Sequence, residues 1–302
     1  MSWPAYLALH ESGELRTRVE AARSLLDGCR LCPRACGARR VRGEVGACGV
    51  GAEAAVSSHG PHFGEEAPLV GRGGSGTIFL ARCNLHCVFC QNFEISQQGQ
   101  GERVSAAGLA RIMLELQRLG CHNINCVTPT HQTFQILEAL PRAIDAGLRL
   151  PLVYNCGGYE SLETLRLLEG VVDIYMPDVK YADAEIAKRY SGVEHYPATA
   201  MAAIREMHRQ VGDLACDAEG IARRGLLVRH LVLPDDQAGT EGIVTFLAGV
   251  SPDIHLNIMG QYRPCYQAHA HPGLARRPTS GEMARAFRLA RAAGLRRLDG
   301  CH

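Results

Sequence analysis

Three cysteines within eight residues constrain this chain more than any other feature. The stretch from Arg82 to Ser96, RCNLHCVFCQNFEIS, sets Cys83, Cys87 and Cys90 at C-x3-C-x2-C spacing, directly after the strand-like run Thr77 to Ala81. A tight loop of this length can turn all three sulfurs to one side. Structural zinc normally takes four protein ligands in a closed tetrahedron, and the common iron–sulfur runs bring a fourth cysteine. A loop that offers only three points to a cubane [4Fe–4S] cluster with one iron left open to a small molecule. The aromatic Phe89 beside the third cysteine strengthens that reading. The alternative is three metal-free thiols, a group this dense being open to oxidation.

A second group lies upstream. Glu14 to Asp27 carries Leu15, Val19, Ala22 and Leu26 at helical spacing, and Gly28 stops it. Then Cys29, Cys32, Cys36 and Cys48 follow at C-x2-C-x3-C-x11-C, among Gly37, Gly43, Gly46 and Gly49. Four thiolates suffice for a closed site, either an iron–sulfur cluster or structural zinc, with a metal-free reduced knuckle as the third reading. Arg34, Arg39, Arg40 and Arg42 read as solvated surface or as partners for cluster charge. Thirteen cysteines grouped this way suit metal ligation in a reducing, cytoplasmic setting rather than a secreted disulfide framework.

With 32 basic against 31 acidic residues, no single-sign field argues for nucleic acid or an anionic membrane as partner. The N-terminus lacks the basic-then-apolar pattern of a secretory signal, and no apolar run approaches the ~20 residues of a membrane helix. The 302 residues, 46% of them hydrophobic, can bury one α/β barrel or two smaller domains. Residues 50–76 read as loop-rich, with His59, His62, Glu65 and Glu66 as candidate metal or acid–base groups, the alternative being solvated surface or hydrogen-bonded filler. The glycines of 71–76 lack the Lys-Ser/Thr and the helix that a phosphate loop requires.

From Thr77 onward, strand and helix patterns alternate. Strands are predicted at 77–81, 123–127, 151–155, 171–176, 226–233 and 254–259. Helices are predicted at 105–119 (with Ser105 as N-cap), 132–146, 160–168, 182–190, 198–211 and 241–250, with a closing helix at 281–294. Six β/α units predict a parallel sheet or barrel, with the site just beyond the strands' C-terminal ends. Polar residues collect there: Thr128 to His131, Asn155 to Tyr159, Asp178 with Lys180, then Arg229, His230 and Asn257. Asp178 and Lys180, two apart, point to one face. They form either a salt bridge closing the barrel mouth or a holder for a zwitterionic ligand. Cys156 and Cys265 also follow strands and are candidates to face the cavity.

These segments together resemble a known family. CRLCPRAC, HFGEEAPL, CNLHCVFCQNFEIS, NINCVTPTH, VYNCGGYE, VDIYMPDVKY, VRHLVLP and MGQYRP are similar to segments of radical S-adenosylmethionine (radical SAM) proteins. The resemblance is to those like the pyruvate formate-lyase activating enzyme, in a branch with an N-terminal CxLCPRxC segment. It implies an α/β fold, a partial (β/α)6 TIM-type barrel, with a small cysteine-rich segment: residues 1–60 the N-terminal segment, 61–280 the barrel, 281–302 the closing helix and tail. It implies that Cys83, Cys87 and Cys90 bind a [4Fe–4S] cluster whose open iron is chelated by S-adenosylmethionine, and that Phe89, Asn155, Asp178, Lys180 and Arg229 surround that cofactor.

It further implies reductive cleavage to a 5′-deoxyadenosyl radical that takes hydrogen from a substrate, such as a glycyl-radical enzyme or another protein or peptide. A flavodoxin- or ferredoxin-type protein would donate the electron. Typical activating enzymes carry Gly-Gly-Glu after the second strand, where this chain has Thr128-Pro129-Thr130-His131. His131 is therefore the candidate for holding the SAM amino group. The competing function class is an iron–sulfur binding or electron-transfer protein without substrate chemistry.

Overall fold

A computed structural model of the chain describes residues 3–300; the last two residues of the tail, Cys301 and His302, lie outside it. Ten strands occur among the described residues: β1 Ala54–His62, β2 Ser75–Leu80, β3 Glu102–Val104, β4 Ile124–Val127, β5 Leu152–Cys156, β6 Ile174–Pro177, β7 Ala215–Cys216, β8 Ala222–Leu231, β9 His255–Met259 and β10 Arg297–Asp299. Nine run in the order β10-β9-β8-β6-β5-β4-β2-β1-β3, and β7 pairs with β8. From β2 to β10 every neighbouring pair is parallel. The fold is thus the expected partial α/β barrel, and the six predicted strands correspond to β2, β4, β5, β6, β8 and β9.

Helices form where the apolar spacing placed them. Ser105 accepts the Gly108 N–H at 3.2 Å to start the helix Ala106–Arg118, and Asp183 does the same for Ala184–Ser191. Thr279 and Glu282 cap Ser280–Ala292 reciprocally. Leu109, Met113 and Leu116 from the first, and Leu137, Leu140 and Ile144 from Thr133–Asp145, bury against the sheet's outer face. The inner face packs Leu69, Val153, Ile174, Met176, Leu214 and Leu227. Alternation along each strand divides the two layers: Val153 points inward while Leu152 and Tyr154 point outward.

Two expectations are corrected. Residues 50–76 are not all loop, because β1 pairs antiparallel with both β2 and β3. Its sequence AAVSSHGPH is polar, and Gly60 and Pro61 break any strand pattern; such residues are tolerated in an exposed antiparallel strand near the sheet's end. The boundary expected between 60 and 61 therefore falls inside β1. The N-terminal helices Tyr6–Glu11 and Glu14–Ser24 share the barrel's outer core through Tyr6, Leu15 and Ala22, all fully buried.

The outer layer also encloses a carboxylic acid. Glu160, 1% exposed, accepts hydrogen bonds from Thr130 Oγ1 at 2.6 Å and Tyr154 OH at 3.1 Å. Burial, working against these bonds, raises its carboxyl to about 7. The folded chain keeps a proton that the unfolded chain releases near the ordinary 4.5, so this group's contribution is complete below that value and lost as pH climbs through about 7. Unfolding by urea at pH 5.5 and pH 8 checks this. The fall in stability between them is expected to shrink by about 2 kcal/mol in Glu160→Gln, and an unchanged fall would remove Glu160 as its source.

Candidate active site

A cavity of about 220 Å3 opens at the C-terminal ends of the parallel strands. Register explains its lining. Phe79 on β2 pairs with Val127 on β4, which pairs with Asn155 on β5, while Arg229 on β8 pairs with Asn257 on β9 and bridges to Asp178 just beyond β6. One row of inward positions thereby runs around the barrel's upper rim. Cys83, Phe89 and Cys90 from the loop after β2 line the same space, as do Cys87 and Lys180.

The cysteine loop leaves β2 through Arg82, whose φ of 73° turns the chain sharply. Cys87 is buried, whereas Cys83 and Cys90 are half-buried. Each sulfur has a hydrogen-bonding neighbour: the Leu85 N–H donates to Cys83 Sγ at 3.3 Å, the Ser191 hydroxyl donates to Cys87 Sγ at 3.0 Å, and Ser96 Oγ lies 3.1 Å from Cys90 Sγ. Burial first, then the neighbouring Cys87, pushes the Cys83 and Cys90 thiols up, and Lys180 works in the opposite direction. Thiols raised in this way become thiolates when a metal takes the proton's place. The sulfurs of Cys83, Cys87 and Cys90 line the one cavity and fit an iron–sulfur cluster with an open coordination position.

The same cavity is lined by a half-buried ion network. Asp178 accepts from Lys180 Nζ at 2.7 Å and from Arg229 Nε at 2.8 Å, and Arg229 also donates to Asn155 Oδ1 at 2.7 Å. Burial alone would raise the Asp178 carboxyl, but Arg229 and Lys180 outweigh it and hold it low. Burial likewise opposes the charge on Lys180, and Asp178 restores it. Tyr196 fixes the strand ends, accepting the Lys180 N–H at 2.9 Å and donating to the Gly157 and Asp178 carbonyls. At Gly158 (φ 77°) a Cβ would stand 2.4 Å from the Asp178 carbonyl oxygen, so only glycine permits this approach of the two strand ends.

Of the residues expected around the cofactor, Phe89, Asn155, Asp178, Lys180 and Arg229 line the cavity and His131 does not. After β4 the chain turns through Thr128 (φ 60°) and a 3₁₀ turn, Thr130–Gln132, carries His131 back into the outer layer. There its Nε2 faces the Ala81 carbonyl at 3.0 Å, and burial lowers the ring to about 4, leaving it neutral. Thr128 holds the cavity-lining place instead. Cys156 belongs to the outer core beside Glu160 even though it contributes to the wall, and Cys265 is not part of the lining.

Sequence reading underweighted the loop carboxylates Glu65 and Glu66. Arg229 Nη1 lies 3.4 Å from Glu65 and 3.8 Å from Glu66, and Asn257 donates to Glu66 at 2.9 Å. Burial foremost, with the neighbouring Glu66 adding to it and Arg229 opposing, raises Glu65 to about 7. In the sequence they are candidate metal or acid–base groups in a loop, weighed there against surface, and nothing local ties them to Arg229. Ser191 and Tyr196 gave no local signal.

Residues 77–216 match the Radical SAM superfamily. An uncharacterized protein of Methanocaldococcus jannaschii is 32% identical over 285 residues, covering 91% of this chain and 78% of that protein. Among solved structures, Streptococcus suis SuiB bound to precursor peptide SuiA superposes with a TM-score of 0.49 at 11% identity, over 73% of this chain. The chain spans 47% of that structure's length. With the cysteine loop on a partial barrel and the superfamily match beginning at β2, the chain belongs to the radical SAM superfamily.

Proposed function

We propose that this protein is a radical SAM enzyme that takes a hydrogen atom from a protein or peptide substrate. The observation that carries the reading is convergence: three thiols and a half-buried Lys180–Asp178–Arg229–Asn155 network face one cavity at the strands' C-terminal ends. In this reading Cys83, Cys87 and Cys90 hold a [4Fe–4S] cluster, which, when bound, supplies the electron that cleaves S-adenosylmethionine to a 5′-deoxyadenosyl radical. Lys180 and Arg229 offer positive charge to the cofactor's carboxylate, and Asp178 offers negative charge to its ammonium group. Phe89, held edge-on by Tyr181 and Tyr262, gives an apolar surface for the adenine. The Thr128 turn takes the place of the expected Gly-Gly-Glu backbone.

The likeness of CNLHCVFCQNF and MGQYRP to activating-enzyme segments supports a backbone glycine of a partner protein as the hydrogen source. The same likeness supports a flavodoxin- or ferredoxin-type electron donor and a reducing, cytoplasmic setting. Among the described residues no helix is long and apolar enough to cross a membrane. The division into cysteine-rich segment, barrel and closing helix, with the first boundary moved ahead of β1, is part of this reading.

Anaerobic incubation of reconstituted protein with dithionite and S-adenosylmethionine is expected to yield 5′-deoxyadenosine. The Cys83→Ala/Cys87→Ala/Cys90→Ala variant should yield none and should lose about four irons per chain. No deoxyadenosine from fully loaded protein, candidate substrates included, would instead favour a cluster-binding protein without substrate chemistry. Asp178→Asn leaves two half-buried cations without their shared carboxylate, and should weaken S-adenosylmethionine binding by roughly 10–100-fold in equilibrium dialysis. A change below about threefold, with circular dichroism intact, would remove Asp178 from the cofactor's surroundings.

A further inference from the structure

Arg40 is fully buried, with 0% exposure, and no carboxylate among the described residues lies within ion-pair distance of it. Its guanidinium is satisfied geometrically: Nε and Nη2 donate to the Gly51 carbonyl at 3.1 and 2.9 Å, and Nη1 donates to the His131 carbonyl at 2.8 Å. Those partners are neutral. A guanidinium keeps its charge in proteins, and burying a cation without a countercharge is strongly unfavourable. The remaining contact is Nη1 to Cys29 Sγ at 3.8 Å, and Arg40 also acts electrostatically on Cys48. The missing negative charge therefore has one nearby source, the cysteines.

Those cysteines form one group. The side chains of Cys29 and Cys36 act on one another, and Cys32 and Cys48 each lie within electrostatic reach of Cys29. The backbone is shaped around them. Gly37 N–H donates to the Cys29 carbonyl and Ala35 N–H to that of Cys32, and a Cβ at Gly46 would lie 2.2 Å from Cys36 Sγ. Among the described residues no three His, Cys, Asp or Glu side chains converge on one ion-sized point. That applies equally to Cys83, Cys87 and Cys90.

We infer that Cys29, Cys32, Cys36 and Cys48 hold an anionic metal–thiolate centre whose countercharge is the buried guanidinium of Arg40. Four thiolates around iron–sulfur or zinc leave net negative charge, which removes the cost of burying Arg40. Arg40 is a positioning residue here, orienting the loop through Gly51 and His131. The centre adjoins the cavity's cysteine loop, since Arg34 donates to the Asn84 carbonyl and the His86 ring meets the Ala47 carbonyl.

The test uses full-length Cys83→Ala/Cys87→Ala/Cys90→Ala protein, so that remaining metal belongs to this site, reconstituted anaerobically with iron and sulfide or loaded with zinc alone. About four irons with acid-labile sulfide identify a cluster, and about one zinc identifies a mononuclear site; either supports the inference. Arg40→Gln should lose metal to a chelator about 10–100-fold more readily. A second readout needs no variant. Native wild-type Cys36 and Cys216, both exposed, are compared by iodoacetamide labelling and mass spectrometry. Cys36 is expected to label at least about tenfold more slowly until the metal is stripped. No retained metal, together with equal labelling of Cys36 and Cys216, would overturn the inference.

Discussion

The upper rim of the barrel depends on one carboxylate. Asp178 lies between Lys180 and Arg229 and pairs with both, and Arg229 is further paired with Glu65 and Glu66. Through Arg229 the network reaches Asn155 on β5 and the Glu65–Glu66 loop, and through Lys180 it faces the cysteines after β2. One half-buried acid thus ties together strands that come from widely separated parts of the chain.

The two layers of the barrel divide the work. The inner face packs Leu69, Ile174 and Leu227 beside a buried Ser75–Asn123–Asn125 hydrogen-bonded group, and carries the Asp178 ion pairs at the C-terminal rim. The outer face carries the main hydrophobic core, yet it also holds Glu160, His131 and Arg40, polar groups buried with specific partners. Glu160 and His131 are neutral at moderate pH because burial disfavours their charged forms. Arg40 has no such escape, which is why its surroundings point to a charge supplied by the neighbouring cysteines.

Much of this was legible because strands and helices announce themselves by apolar period, and because polar residues placed directly after strands have few structural reasons to be there. Asn155, Asp178, Lys180 and Arg229 were found that way. His131 was misplaced by the same rule, since a left-handed Thr128 and a single 3₁₀ turn reverse the chain between strand end and side chain. β1 was missed because an exposed edge region needs no apolar alternation. The Ser191–Cys87 bond and the burial of Arg40 join residues 104 and 91 positions apart. No local pattern can encode such pairs, and an arginine among other arginines reads as surface until the fold places carbonyls around it.

The central claim is that S-adenosylmethionine binds directly at the three-cysteine site, within the charge field set by Asp178, Lys180 and Arg229. Electron paramagnetic resonance of the dithionite-reduced protein, recorded before and after S-adenosylmethionine is added, tests it most directly. The account predicts that the cluster signal shifts on addition in wild type, and that this shifting signal is absent from the Cys83→Ala/Cys87→Ala/Cys90→Ala protein. A wild-type spectrum indifferent to S-adenosylmethionine, from protein with its full iron complement, would contradict it.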